Sequence, residues 1–430
     1  MERTKKSARF WLALVIFSLI GQVAWVVENM YLNVFIYKMF AASAGQISLM
    51  VAASSVAATV TTVIIGALSD KLGKRKIFIC GGYLCWGVSI LSFGLIREDW
   101  LGSMIPATVS AASVGISLVI LLDCIMTFFG SAANDACFNA WLTDSTDETN
   151  RGAAEGINAM MPLVAILAVF GGFMGLDQNL PDSWTVIFFV IGGIVLVLGV
   201  LGFWLIEEPA VDTAENQSYF INLLYGFRPS VIGANRRLYL TLIAYAVFGI
   251  SINIFMPYLI LYYEKSLAMT NYVFVFAPAI ILAAVFTALY GKVYDKKGFA
   301  ASVFPSLTLL MAGYVLLYFF TNTVLVFIGT VLMMCGYLSG MAVFGAMLRD
   351  HTPQNKSGMF QGQRIICQVL IPGIIGPAIG AAVLKNAQQI VDTDGRLVFL
   401  PNANIFLAAL IAAVLILVSL IPIVKSLKNR

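Results

Sequence analysis

This 430-residue chain has little charge: Asp, Glu, Lys and Arg make up 11% of it, against about 25% in a soluble domain. So few charged groups, set beside 60% apolar residues and a mean hydropathy of +0.90, cannot give a water-soluble fold its polar skin. A soluble enzyme, a nucleic-acid binder and a disordered chain are thereby excluded. Histidine is nearly absent; His351 alone leaves no H-E-x-x-H zinc site. The six cysteines, Cys80, Cys85, Cys124, Cys137, Cys335 and Cys367, lie in apolar runs without a C-x-x-C pair. They read as small core side chains, not as metal ligands or disulfides. No G-x-x-x-x-G-K-[ST] phosphate loop occurs, so any pumping does not run on ATP hydrolysed by this chain. Nothing calls for a cofactor, and a net charge of +4 names no anionic partner.

What is abundant is apolar sequence in runs long enough to cross a bilayer, each needing about 20 residues. Twelve are predicted, near 9–37, 45–68, 77–96, 107–142, 153–176, 184–206, 238–263, 271–291, 300–320, 323–348, 357–384 and 398–424. The fourth is long for a perpendicular helix and predicts tilt or a protruding end. Only residues 207–237 form a long polar connection, with Glu207, Glu208, Pro209, Asp212, Glu215, Arg228, Pro229, Arg236 and Arg237. The expected organisation is an all-α polytopic membrane protein: a six-helix bundle over 1–206, a cytoplasmic linker over 207–237 and a second six-helix bundle over 238–430. With both termini inside, 20 Lys and Arg fall on the inner face and 5 on the outer, the bias of cytoplasmic loops. The basic start and first apolar run are expected to be a span, not a cleaved signal, since no small-x-small site precedes the second run.

The halves share short motifs. Gly66-Ala-Leu-Ser-Asp70-Lys71-Leu-Gly73 follows span two and continues as Lys74-Arg75-Lys76. Gly291-Lys-Val-Tyr-Asp295-Lys296-Lys297-Gly298 follows span eight, offset by 225. Leu142-Thr-Asp144-Ser-Thr146, leading to Gly152, Glu155 and Gly156, is matched at an offset of 206. Its copy is Leu348-Arg-Asp350-His-Thr352, leading to Gly358, Gln361 and Gly362. Two signatures repeated in place imply two bundles of one orientation, related by an axis along the membrane normal. The first loop, its copy and the six-plus-six count resemble the major facilitator superfamily of secondary transporters. The span-four segment Asn134-Asp135-Ala-Cys-Phe138-Asn139-Ala-Trp141-Leu-Thr-Asp144 is similar to the glycoside–pentoside–hexuronide and sucrose–proton symporters.

Physically, Gly66 lets another helix approach closely, Asp70 can cap a helix or pair with a guanidinium, and Gly73 permits a tight turn. The loop is alternatively a purely topogenic basic loop. The resemblance implies a latch of Gly66, Asp70, Gly73 and Arg75, with a copy at Asp295 and Gly298. That copy is expected to be weaker, because Phe299 and Ala300 replace the basic tail. Arg364 is expected either as an inner partner of Asp70 or as a snorkelling anchor.

Carboxylates within hydrocarbon are costly and usually face a cavity or a partner. On a wheel of 100° per residue, Glu28, Trp25, Asn29 and Asn33 share one arc of span one, opposite Val23, Val26 and Val27. Asp123, Thr127, Ser131, Asn134 and Asp135 form a similar arc on span four. The resemblance implies that spans one, four, seven and ten line a central cavity, to which span seven adds Asn253 and Tyr258. Glu28 and Asp135 fall at acidic positions of the symporters. Asp123 is expected either there or wet near the outer surface, and the asparagines either bind solute or join helices. Pro372 and Pro377 are expected to bend span eleven. His351 is expected in a solvated loop.

The resulting expectation is a secondary transporter working by alternating access as a monomer in the plasma (inner) membrane, moving a sugar or glycoside. Another small solute, such as a drug, amino acid or metabolite, is the nearest alternative. A non-transporting receptor or sensor is the alternative of a different class, and its added signalling domain is not expected within 430 residues. Span two lacks the acidic residues of the sodium-coupled symporters, so a proton is the expected coupling ion.

Overall fold

The computed structural model describes residues 6–106, 108–147, 150–208, 227–269, 271–352, 360–392 and 395–428. Among them, 12 helices are long and apolar enough to span a membrane. Spans one to six are Ala8–Phe40, Ala44–Leu72, Lys76–Phe93, Ala111–Asp144, Gly156–Phe173 and Pro181–Leu205. Spans seven to twelve are Arg236–Ser266, Val273–Gly291, Lys296–Phe319, Thr323–His351, Gly362–Leu384 and Asn404–Lys425. The all-α class expected from composition is the observed one. Most of the expected linker, and the repeat residue Gly358, lie outside the described residues.

Helix ends follow local chemistry. Ser7 accepts from Phe10 N at 3.1 Å, Ser110 from Ser113 N at 3.3 Å and Asn322 from Val324 N at 3.0 Å, each satisfying an otherwise orphaned donor. Span six starts on Pro181, whose missing N–H costs nothing there. Span two ends in a Schellman turn: Gly73 has φ 61°, its N–H meets Asp70 O, and Lys74 N–H meets Ser69 O. Gly298, its repeat counterpart, has φ 76° and breaks the helical run Val273–Phe319 into spans eight and nine. Both repeated glycines therefore sit where a side chain would be strained.

The chain divides into two compact units, residues 1–42 with 53–217 and residues 43–52 with 218–430. In the first, spans three and six approach through Gly87, Gly192 and Gly199, where an added Cβ would lie 2.6–2.8 Å from the facing helix. In the second, spans nine and ten do so through Gly313 and Gly336, where it would lie 2.3–2.4 Å from facing backbone nitrogens. Lipid offers no hydrophobic drive between helices, so close backbone contact carries the packing. Gly336→Leu should therefore force these helices apart, costing on the order of 1–3 kcal/mol or more. A lower midpoint of thermal unfolding in detergent would register it; an unchanged midpoint would refute the close contact.

Two expectations change. The last span is expected from 398, but residues Gln389–Val391 and Leu397–Phe399 form strands β1 and β2 of an antiparallel hairpin. Pro401 precedes the helix start, where Asn402 caps Asn404 N at 3.1 Å. His351 is the last residue of span ten rather than a loop residue, half-buried with Nδ1 on Met347 O at 3.0 Å. In span eleven, the turn before Pro372 widens to a π-turn, Ile366–Leu370. The proline lacks an N–H and crowds the preceding turn, so the ladder opens there.

Candidate functional site

Span one is not a uniform helix. Its α-helical parts, Ala8–Val26 and Leu32–Phe40, are joined by a π-turn, Val27–Tyr31, across which Leu32 N–H reaches Val27 O. Span four repeats the device, with a π-helical stretch Ser131–Phe138 between Ala111–Gly130 and Asn139–Asp144. Such turns insert an extra residue and recur at functional sites. Glu28 lies in the first, Asn134 and Asp135 in the second.

Glu28 is 8% exposed, and the Thr127 hydroxyl of span four donates to its Oε1 at 2.8 Å. Asp123, one turn before Thr127, is 2% exposed and hydrogen-bonded to Ser54 of span two. It is therefore buried and not wet at the surface. Glu28 Oε2 and Asp123 Oδ1 are buried without a hydrogen-bond partner among the described residues. Asp135 is half-buried and accepts from the Ser131 hydroxyl at 3.0 Å.

The amides divide. Asn134 is buried, with Oδ1 3.4 Å from the Tyr83 hydroxyl, which donates to Phe17 O at 2.9 Å. It thus joins spans one, three and four. Asn33 is also buried and donates to Asn29 O at 2.8 Å. Asn29 is exposed, and its amide donates to Trp25 O at 2.9 Å. Half-buried Trp25 lies against Trp86 with ring centroids 5.1 Å apart. Gly130 makes room for both rings: a Cβ there would stand 2.7 Å from Trp86 and 3.1 Å from Trp25.

The first unit thus gathers Trp25, Glu28, Asn29, Asn33, Asp123, Asn134 and Asp135 onto spans one and four. Asn253 and Tyr258 belong to the second unit. Asn253 donates to Gly249 O at 2.9 Å. Tyr258 is fully buried, its hydroxyl donating to Ala44 O at 3.0 Å and lying 3.4 Å from Pro377 O. With that hydroxyl engaged, the ring is a packing element. Sequence reasoning gives no site role to Ser54, Tyr83 and Trp86. Ser54 has a signal, a hydroxyl at the middle of an apolar span; the aromatics have none.

At the end of span two, Arg75 is a buried hub. Its guanidinium meets Asp70 Oδ1 at 2.5 Å, Asp144 Oδ2 at 3.0 Å and Ser69 Oγ at 2.6 Å. Burial works against its charge, but Asp70 and Asp144 outweigh this and hold the guanidinium above its ordinary range. Its backbone N–H, with that of Lys76, donates to the Glu208 carboxylate at the start of span three. The two repeated motifs are therefore physically joined, Asp70 from one and Asp144 from the other. Ser69 carries the bond back to Gly66 O at 3.0 Å.

In the second unit the same places are joined differently. Ala300 stands where Arg75 would repeat, and Tyr294 stands where Ser69 would. Tyr294 donates directly to Asp350 Oδ2 at 2.5 Å. The longer phenol spans the gap that a guanidinium fills in the first unit. The Asp295 side chain lies outside the described residues. Arg364 is exposed and donates to Gln368 one turn on at 3.3 Å.

A twelve-span membrane protein with a repeated loop after spans two and eight and acidic residues on spans one and four is a transporter architecture. The family model of the Major Facilitator Superfamily matches residues 10–377, and the chain belongs to that family. It is an integral membrane transporter and not an enzyme. Its fold is similar to a point mutant of the nucleoside transporter NupG, with TM-score 0.71 and 13% identity over 96% of this chain and 99% of that one. A bacterial homologue of the human lysosomal transporter Spinster gives TM-score 0.71 and 15% identity, covering 99% of both chains. The xylose transporter XylE of E. coli gives 0.68 and 11%, over 96% and 98%. No curated protein matches the chain in sequence.

Proposed function

We propose that this transporter moves a small polyhydroxylated solute, a sugar or a sugar-containing compound such as a nucleoside, by alternating access coupled to a proton. The observation that carries the reading is the set of three carboxyls within the membrane part of spans one and four: Glu28, Asp123 and Asp135. An unneutralised carboxylate there is costly, so loading and unloading a positive charge alters the state the protein can adopt. Exposed Asn29 and half-buried Trp25 and Asp135 on the same two spans suit a ring with hydroxyls: an apolar face to stack and edges to hydrogen-bond. Two fold relatives support the choice by name, a nucleoside transporter and a D-xylose–proton symporter. Between residues 44 and 69, span two contributes a hydroxyl, Ser54, and no carboxylate, which favours a proton over sodium.

The test is uptake into proteoliposomes of a panel of labelled sugars, nucleosides, amino acids and cationic drugs, under imposed pH or sodium gradients. Accumulation of a sugar or nucleoside that follows the pH gradient is expected. Accumulation that ignores pH and follows sodium overturns the coupling, and uptake confined to amino acids or drugs overturns the substrate class.

We further place the monomer in the plasma membrane with both termini inside, on the strength of the basic-residue bias. Reporters fused after Arg430 and inserted within 207–237 should both report the cytoplasm. A signal from the opposite face at either position means that the spans have been miscounted.

A further inference from the structure

Glu28 and Asp123 differ from every other carboxyl of the protein's described part in one respect. Each is more than nine-tenths buried, each is bound through one oxygen to a hydroxyl of a neighbouring span, and each keeps the other oxygen buried and unpartnered. Thr127, which donates to Glu28, is four residues beyond Asp123 on the same helix. Side chains four apart on a helix are neighbours, with Cβ atoms about 5–6 Å apart. The two carboxyls are therefore near one another in the interior, among spans one, two and four.

The ionisable groups around them are few. Asp123 and Asp135 are the charged side chains that act on Glu28. Cys124, next to Asp123 in the chain, feels the charge of both members of the pair, and Tyr83 of span three feels that of Asp135. Span two supplies Ser54, and the membrane parts of spans five and six carry no ionisable residue beside the pair. Lys38 is ten residues beyond Glu28, about 15 Å along the helix axis. Two carboxylates buried near one another repel each other and lack a neutralising cation.

We propose that Glu28 and Asp123 form an acid pair, sealed from solvent, that holds the exchangeable proton of the transport cycle, while Asp135 stands outside it on the solute side. This rests on the proton-coupled reading above. The pair alternates between two states. In one, a carboxylic acid O–H of one residue donates to the carboxylate of the other, with a net charge of −1. In the other, a second proton, taken from water when a shift of Glu28 opens the pair to solvent, leaves both neutral. Ser54 and Thr127 fix the outer oxygens, so the inner oxygens, Oε2 and Oδ1, are the ones that exchange it. The extra residue of the π-turn at Val27–Tyr31 places Glu28 toward span four, and its weakened backbone ladder gives the carboxyl a way to shift on losing the proton.

The experiment needs no known substrate. The intact protein in lipid is treated with the apolar reagent dicyclohexylcarbodiimide, which reacts with protonated carboxyls, and adducts are mapped by mass spectrometry across pH. Modification at Glu28 or Asp123 is expected at neutral pH, falling by up to about tenfold per pH unit above the midpoint and unaffected by sodium at fixed pH. Infrared difference spectroscopy supplies a readout that does not need reagent access: a protonated carboxyl carbonyl band, lost in wild type as pH rises and altered in Glu28→Gln and in Asp123→Asn. Thr127→Val, which frees Glu28 Oε1 and keeps the shape, should move the midpoint of the same band. Protection by sodium makes the pair a sodium site and overturns the proposal. So does the absence of any pH-dependent adduct and band, or a band that neither substitution alters. A pH-dependent pair in a protein whose uptake ignores pH would sink the proton-coupled reading and the pair's role in transport, leaving only a buried acid pair. Uptake that follows pH without such a pair would sink the pair and not the reading.

Discussion

Replacing Glu28 by Gln should abolish accumulation of solute against its gradient while leaving exchange of solute across the membrane intact. The amide keeps the shape and still accepts the Thr127 hydroxyl bond of 2.8 Å, but it cannot load or release a proton. A gradient of one pH unit sustains at most about tenfold accumulation at one proton per solute, which is about 1.4 kcal/mol. The substituted protein should give none of it, equalising the concentrations inside and out. Asp135→Asn should behave otherwise. Asp135 is half-buried and bonded to Ser131 and is proposed to face the solute, so its loss should abolish exchange together with accumulation. Measuring both fluxes for both variants separates a coupling group from a binding group. Normal accumulation by Glu28→Gln would remove that residue from the coupling machinery.

Removing the guanidinium of Arg75 should be the most destabilising single change in the loop after span two. The side chain is 5% exposed and holds Asp70, Asp144 and Ser69 at once. Arg75→Met leaves the partly buried Asp144 without its counter-ion, and breaking a buried pair in this way costs about 3–5 kcal/mol. Arg75→Lys should recover only part of that, because a single ammonium lacks the planar fork that reaches three acceptors. Adding Asp144→Asn to Arg75→Met should restore stability by removing the stranded charge. Unfolding midpoints in detergent for the three variants would show this order; equal midpoints would reduce the hub to a surface ion pair. Asp70 is half-exposed on its side chain, 50%. Asp70→Asn should therefore leave the fold nearly as stable and express itself chiefly as slower transport.

Much of the fold was legible because the bilayer leaves the chain few choices. Backbone groups in hydrocarbon must be satisfied within a helix or a closed barrel, so apolar runs of about 20 residues translate directly into helices. The misplaced boundary at 398 has the same origin: Val398 and Phe399 at the end of β2 are apolar enough to pass for the start of a span. Only the pairing of Ile390 with Val398 sets them apart.

The site was legible in kind and less so in arrangement. Composition and pattern pointed to Glu28, Asp123 and Asp135 because carboxyls are rare inside membrane spans. A wheel of constant pitch, however, could not foresee the π-turns at Val27–Tyr31 and Ser131–Phe138. Each alters the helical phase of everything after it, which is why Asn33, placed on the polar arc by the wheel, is 1% exposed while Asn29 is open. Tyr258 likewise carried the chemistry of a sugar-binding ring, and only its neighbours show the hydroxyl engaged.

The sequence alone determined the solvent of this protein, the number of its spans, the repeat that relates its halves and the identity of its membrane carboxyls. All of these depend on what single residues or short runs tolerate in hydrocarbon. Tertiary structure decided which of those carboxyls lie near one another, which hydroxyls hold them, and that Arg75 in one half is answered by Tyr294 in the other. Those outcomes depend on distances between groups far apart in the chain: Tyr294 to Asp350, separated by 56 residues, Arg75 to Asp144, by 69, and Thr127 to Glu28, by 99. Packing fixes such distances, and no local pattern encodes them.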